Sequence, residues 1–145
     1  MCRGGIKWSV SELISKIPKD GFLVCNPADP KVKPVLKSAK CRIVDYTKVR
    51  ENFNLKFPGQ YNIENAKAAF AIGKILGILK EKITASLENY QGTWRRFEYK
   101  GTTKGGALIY DDYAHHPTEI KATLKSFKEK FPKKYPIWLK GSKGK

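Results

Sequence analysis

Much of the chemistry that this 145-residue chain can offer lies in ten consecutive residues: Asp111, Asp112, Tyr113, Ala114, His115, His116, Pro117, Thr118, Glu119 and Ile120. Adjacent carboxylates accept hydrogen bonds from hydroxyls and amides, and adjacent imidazoles can take or give a proton near neutral pH. Crowding such groups into one turn costs free energy unless they meet a ligand or one another. The plainer reading is a loop. Asp and His are common in turns, and Pro117 suits a first helical turn, where its missing N–H would be unpaired in any case.

The flanking residues define the elements that must position this cluster. Gly106, Ala107, Leu108, Ile109 and Tyr110 read as a short buried strand. Ile120, Leu124, Phe127 and Phe131 recur at steps of four, three and four, the apolar stripe of an amphipathic helix. The cluster therefore falls where a strand ends and a helix begins. In open α/β sheets ligands bind at that edge, where helix N-termini offer unpaired N–H groups.

Upstream, Ser9 opens a short helix with Val10, Leu13, Ile14 and Ile17 on one face. Residues 22–26 form an apolar strand, residues 30–37 a short helix and residues 41–46 a second strand, the rhythm that a parallel sheet requires. Residues 53–57 alternate as a strand. A helix then starts at Asn62 as N-cap, with Ile63, Ala66, Ala69, Phe70, Gly73 and Leu76 on its packed side, and ends at Gly77 and Ile78. Asn65 either completes that capping or, having both a donor and an acceptor, faces the edge of a purine. Residues 80–90 make another helix, and Gln91, Gly92 and Thr93 link it to a second domain. Residues 94–99 alternate as a strand, which sends Arg95 and Arg96 to opposite faces. One could be structural while the other meets a phosphate, or both could be solvated on an edge strand. Residues 101–105 read as a turn, and a strand begins at Tyr135. The terminal Gly141, Ser142, Lys143, Gly144 and Lys145 look like part of a phosphate loop, but no Ser/Thr or helix follows them.

Composition narrows the class. Hydrophobic residues make up 41% of the chain, enough to bury a core. No run of 18 apolar residues occurs, so no membrane span is expected. Cys2, Cys25 and Cys41 fit neither a disulfide framework nor a zinc pattern, and agree with a reducing cytoplasm. The net charge is +16, but the lysines are scattered and only Arg3, Arg42, Arg50, Arg95 and Arg96 are arginines. Neither a helix-turn-helix nor a basic-aromatic sheet signature is present, so nucleic acid is not the expected partner. A basic surface also suits an enzyme of anionic nucleotides.

Three motifs, in order and spacing, resemble the Mur ligases. They are Pro58-Gly59 with Tyr61-Asn62 and Asn65-Ala66; Gly92 with Arg95-Arg96-Phe97-Glu98; and residues 111–120. The resemblance covers residues 8 to 139. It implies an α/β fold, with the end of a central P-loop-type ATPase domain sheet in residues 1–91. The start of a Rossmann-like C-terminal domain would occupy residues 92–145. It also implies a reaction. ATP phosphorylates a carboxylate, an amine attacks the acyl phosphate, and Mg2+ neutralises phosphate charge. Within the family the match is to members that join L-alanine to UDP-N-acetylmuramate in peptidoglycan precursor synthesis, with peptide-recycling members as the nearest alternative. Phe97, Tyr113 and Glu119 favour alanine. By position, Asn65 would contact adenine, Asn62 would order the helix start beside it, Arg96 would reach the phosphates and Asp112 the ribose. Tyr113 and His115 would lie near the amino acid, and His116 would cap the helix or pack beneath it. The family's usual histidine before the first asparagine is Tyr61 here, and a tyrosine can still stack on a base. The family's glycine-rich phosphate loop, its magnesium-binding Glu and His and its sugar-nucleotide domain are not among these residues, nor is its Gln-Pro-His. The 145 residues alone are therefore not expected to catalyse. The reading from another class is a non-catalytic basic binding module.

Overall fold

A computed structural model describes residues 5–137 and divides into two compact units. The first comprises residues up to Phe53 together with Glu64–Leu87; the second comprises Asn54–Ile63 and the residues from Glu88 onward. The tail from residue 138, with its phosphate-loop-like glycines, lies outside the described residues, as does Cys2.

In the first unit, α1 (Gly5–Ser15) precedes β1 (Phe22–Cys25), and β1 pairs in parallel with β2 (Arg42–Asp45), Val24 opposite Val44. The expected strand–crossover–strand rhythm is present. The crossover differs from the helix expected at 30–37. Its residues turn through Val32 and Lys33 N–H bonds to the Asp29 carbonyl and close with a 3₁₀ turn, Val35–Ser38. Pro34 accounts for this, because it has no N–H to give an α-helical ladder. Helix α1 begins before Ser9, so Ser9 lies inside it rather than capping it. Of its expected apolar face, Ile14 is buried while Leu13 is 67% exposed.

Helix α2 (Gln60–Ile75) runs through both units and starts two residues before Asn62, so Asn62 is not its N-cap. Its buried positions are Ala66, Phe70, Ala71 and Gly73; Ala69 and Leu76 of the expected face are exposed. The Phe70 ring packs on Phe53, centroids 5.7 Å apart. Gly77 closes α2 at φ 73°, with its own N–H on the Lys74 carbonyl and the Ile78 N–H on the Gly73 carbonyl. That pattern favours glycine because the left-handed conformation carries no Cβ penalty there. Helix α3 (Lys80–Asn89) follows and buries Ile83.

The second unit holds an antiparallel hairpin, β3 (Glu98–Thr102) with β4 (Leu108–Asp111), and helix α4 (Pro117–Lys130). The ladder slips between Tyr99 and Gly101, a bulge that Gly101 accommodates at φ 144°. The turn therefore lies at residues 103–106 rather than 101–105. One expected strand is absent and another starts late. Residues 53–57 form no strand and bend at Lys56 and Phe57, and the Asn54 N–H goes to the Glu88 carboxylate at 2.9 Å. Their alternation records where Phe53 is buried and Phe57 half-buried; Phe57 meets Tyr90, centroids 6.0 Å apart. Residues 94–97 form a turn, and the strand begins only at Glu98. No strand covers residues 135–137. Among the described residues, no helix is long and apolar enough to cross a membrane.

Gly73 yields a prediction of sign. Alanine in a helix is ordinarily better than glycine by up to about 1 kcal/mol. A Cβ on Gly73, however, would stand 2.7 Å from Cδ1 of Ile83 and 2.9 Å from its Cγ1. Gly73→Ala is therefore expected to destabilise the protein by roughly 1–2 kcal/mol in urea unfolding. The cost should shrink in an Ile83→Val background, and strictly additive effects would contradict this packing.

Candidate functional site

The turn between α3 and β3 carries the two arginines in an uncommon backbone. Arg95 and Phe97 have positive φ, 55° and 49°, the left-handed region that non-glycine residues seldom occupy. Such a residue costs on the order of 1–3 kcal/mol. What offsets this can be named. The Phe97 N–H donates to Oδ2 of Asp112 at 2.9 Å, and the Arg95 N–H donates to Oε2 of Glu98 at 2.9 Å. The Arg95 carbonyl accepts from the Tyr113 N–H at 2.8 Å. The Phe97 ring is only 4% exposed and packs on Tyr110, centroids 4.8 Å apart. Burying a phenylalanine contributes roughly 2–3 kcal/mol and the part-buried bond from Phe97 to Asp112 about 1.5–3, so the strained turn is over-determined.

This turn separates the arginines in a way that strand alternation did not anticipate. Arg95 is built in. Its Nε lies 3.2 Å from Oδ2 of Asp111, and its guanidinium sits over the rings of Tyr113 and Trp94 at 5.0 and 5.5 Å. Arg96 is exposed between the two left-handed residues, with its N–H on the Thr93 carbonyl. It borders a cavity of about 260 Å³ that Phe57, Phe97, Tyr110 and Lys130 also line. Among these residues Arg96 is thus the guanidinium open to an anionic ligand.

The strand-to-helix residues divide their work. Asp112 accepts from the Phe97 and Ala114 N–H groups, one through each oxygen, which ties the turn to the end of β4. Its remaining lone pairs are those a ribose hydroxyl could use. His116 caps α4 as expected, its Nδ1 accepting from the Thr118 N–H at 3.3 Å. Glu119 completes the capping box by accepting from the His115 and His116 N–H groups at 3.2 and 3.3 Å. Those amides, with the positive charges of His115 and Arg96 adding less, hold its carboxyl below the usual glutamate range. Tyr113 and His115 stand exposed, their rings edge to face at 5.3 Å.

Gly59 brings the start of α2 against α4. At φ 106° it leaves no room for a Cβ, which would meet the Ser126 hydroxyl and the Tyr61 ring. Tyr61 is half-buried, and burial is the main reason its phenol is pushed up; the Asp112 charge adds to this, while Asn62, Ser126 and Arg96 oppose it. Its ring thus lies in the second unit within reach of the charges of Arg96 and Asp112. Asn62 is the third residue of α2 and donates from Nδ2 to the Pro58 carbonyl at 2.7 Å, so it secures the turn that leads into the helix. Asn62, Arg96, Asp112, Tyr113 and His115 all belong to the second unit. Asn65 stands exposed one helical turn on, in the first. Sequence reading assigned no role to Asp111 and took Glu119 only as a mark of the alanine members, not as part of the cap. The interval of three from His116 to Glu119 was a capping-box signal, obscured because the cap is a histidine rather than Ser or Thr.

Asp112→Ala should cost about 2–4 kcal/mol, since it orphans two partly buried amides, and should release the turn at residues 94–97, visible as faster amide exchange. Asp112→Asn, which keeps one acceptor, should cost less. For Glu119, a carboxyl lowered in the folded state contributes stability that is present above the ordinary glutamate range, around pH 4.5, and is lost as pH falls through its folded pKa. Glu119→Gln should therefore remove part of the acid-induced loss of stability below that pH, measured as melting temperature against pH.

Residues 95–145 match the family described as Mur ligase, glutamate ligase domain. Over 77% of its length the chain is 36% identical to the UDP-N-acetylmuramate–L-alanine ligase of Clostridium kluyveri and covers 30% of that protein. A solved UDP-N-acetylmuramate–alanine ligase from Thermotoga maritima aligns over 59% of the chain and 20% of its own, with 34% identity and a TM-score of 0.53. MurF from Acinetobacter baumannii aligns over 86% of the chain and 33% of its own, with 25% identity and a TM-score of 0.69. The chain thus spans about a third of the length of the curated relatives it matches. With these likenesses and the motifs now seen in their structural setting, the chain belongs to the Mur ligase family.

Proposed function

We propose that this chain is part of an ATP-dependent ligase that joins L-alanine to UDP-N-acetylmuramate through an acyl phosphate, a cytoplasmic step in peptidoglycan precursor synthesis. The observation that carries the reading is the clamped turn. It leaves Arg96 as the open guanidinium in the same unit as Asp112, Tyr113 and His115. The names of the relatives supply the substrates.

In this reading the guanidinium of Arg96 binds the nucleotide phosphates, where its fork matches their geometry. Asp112 accepts from the ribose through the lone pairs its clamp leaves free, and Asn62 holds the start of α2 in the same unit. Tyr113 and His115 receive the amino acid. The described residues hold no group of three His, Cys, Asp or Glu side chains able to bind a metal ion, so no step is assigned to Mg2+ through them. The scattered charge of +16 favours anionic substrates in general and identifies none of them.

The test is a hybrid: the C. kluyveri ligase with its matching segment replaced by residues 8–137. The hybrid should release phosphate only when ATP, the sugar nucleotide and alanine are all present. Arg96→Ala should lower its kcat/KM for ATP by about 10²-fold, the loss of a charge-assisted phosphate contact worth roughly 3 kcal/mol. Arg95→Ala should instead lower the melting temperature. A folded hybrid that ligates a tripeptide in preference to alanine, or consumes no ATP, would overturn the reading.

A further inference from the structure

Two adjacent histidines look alike in sequence, but their hydrogen bonds assign them opposite tautomers. Nδ1 of His115 lies 3.1 Å from the Tyr113 carbonyl oxygen. A carbonyl only accepts, so Nδ1 carries the hydrogen and the ring's lone pair is on Nε2. The side chain is 73% exposed, which leaves Nε2 open. Nδ1 of His116, by contrast, accepts from the Thr118 N–H, so the hydrogen of that ring is on Nε2. Of the pair, only His115 presents a basic nitrogen outward.

The surroundings of His115 are arranged to receive a proton there. Oε2 of Glu119 lies 3.5 Å from Nδ1, on the side away from the open nitrogen. Glu119 is itself fixed by the His115 and His116 amides and held below the usual glutamate range, so it is anionic at neutral pH. The other charged or titratable neighbours are Tyr113, against which the ring packs, Arg95 stacked on Tyr113 and paired with Asp111, and Arg96, whose charge reaches Glu119.

We propose that His115, through Nε2, takes a proton from the incoming ammonium group, and that Glu119 is its positioning residue. This rests on the ligase reading above, which supplies the amine and the acyl phosphate. One ammonium proton passes to Nε2. The freed nitrogen pair forms the C–N bond at the acyl carbon, and the C–O bond to phosphate breaks with its electron pair leaving on the phosphate. A second amine proton goes to that phosphate. The imidazolium so formed has Nδ1–H facing the Tyr113 carbonyl and the Glu119 carboxylate, which stabilise its charge.

The tautomers are tested in the 145-residue chain by nitrogen NMR of the imidazoles. His115 should carry its hydrogen on Nδ1 and His116 on Nε2, and the reverse assignment overturns the proposal. The role is tested in the hybrid ligase by comparing alanine with hydroxylamine, which is uncharged near neutral pH and needs no base. His115→Asn should lower kcat with alanine by about 10²–10⁴-fold, and the loss should be at least ~10-fold smaller with hydroxylamine. Glu119→Gln keeps an acceptor for the helix cap, so helicity should persist. It should lower kcat for alanine by about 10-fold, with KM little changed, and His115→Gln should not restore the alanine rate. Equal losses with both nucleophiles overturn the proton-acceptor role alone. Absence of hydroxamate from the unsubstituted hybrid overturns the ligase reading and this proposal with it.

Discussion

The second unit depends on one carboxylate. Asp112 holds the Phe97 amide with one oxygen and the Ala114 amide with the other. The first bond retains a left-handed residue that the backbone would otherwise avoid, and the second turns the chain from β4 toward α4. A charged acceptor suits this task because its bonds to amides are about twice as strong as neutral ones. With the turn in place, the Phe97 ring completes an aromatic layer with Tyr110, Phe127 and Phe131. Backbone strain, core packing and the display of Arg96 are therefore linked through a single side chain.

The same economy of charge runs through the neighbouring residues. Asp111 takes Arg95, Glu98 takes the Arg95 amide and Lys100, and Glu119 takes the two histidine amides. The acids of this region are largely spent on organising it. In a chain with 29 basic and 13 acidic residues, that leaves the exposed charge mainly positive. Exposed ion pairs of this kind add little stability. Their effect is to decide which cation is held and which is open.

Legibility differed from element to element. The α4 stripe, the parallel β1–β2 pair and the glycine stop of α2 were readable because each rests on local periodicity or a local steric rule. The strand expected at 53–57 and the first residues of the one expected at 94–99 were not, since alternation reports burial on two sides and not whether a neighbouring strand supplies hydrogen bonds. The start of α2 was displaced because Asn62, a favoured cap by type, bonds back to Pro58 from within the first turn. The family motifs marked the region of the candidate site, but the hydrogen bonds within it were hidden. Arg95 and Arg96 differ only in what folds around them.

By itself, the sequence determined the residue types, their spacing and the α/β order of elements, because helix periodicity, proline and glycine act over a few residues. The family followed from motifs of the same short range. Tertiary structure alone decided which arginine is paired and stacked and which is open, since that depends on left-handed backbone held by a carboxylate fifteen residues away. It alone gave Nδ1 of His115 a carbonyl and Nδ1 of His116 an amide as partner, because those partners are fixed only once β4, the turn and α4 have come together.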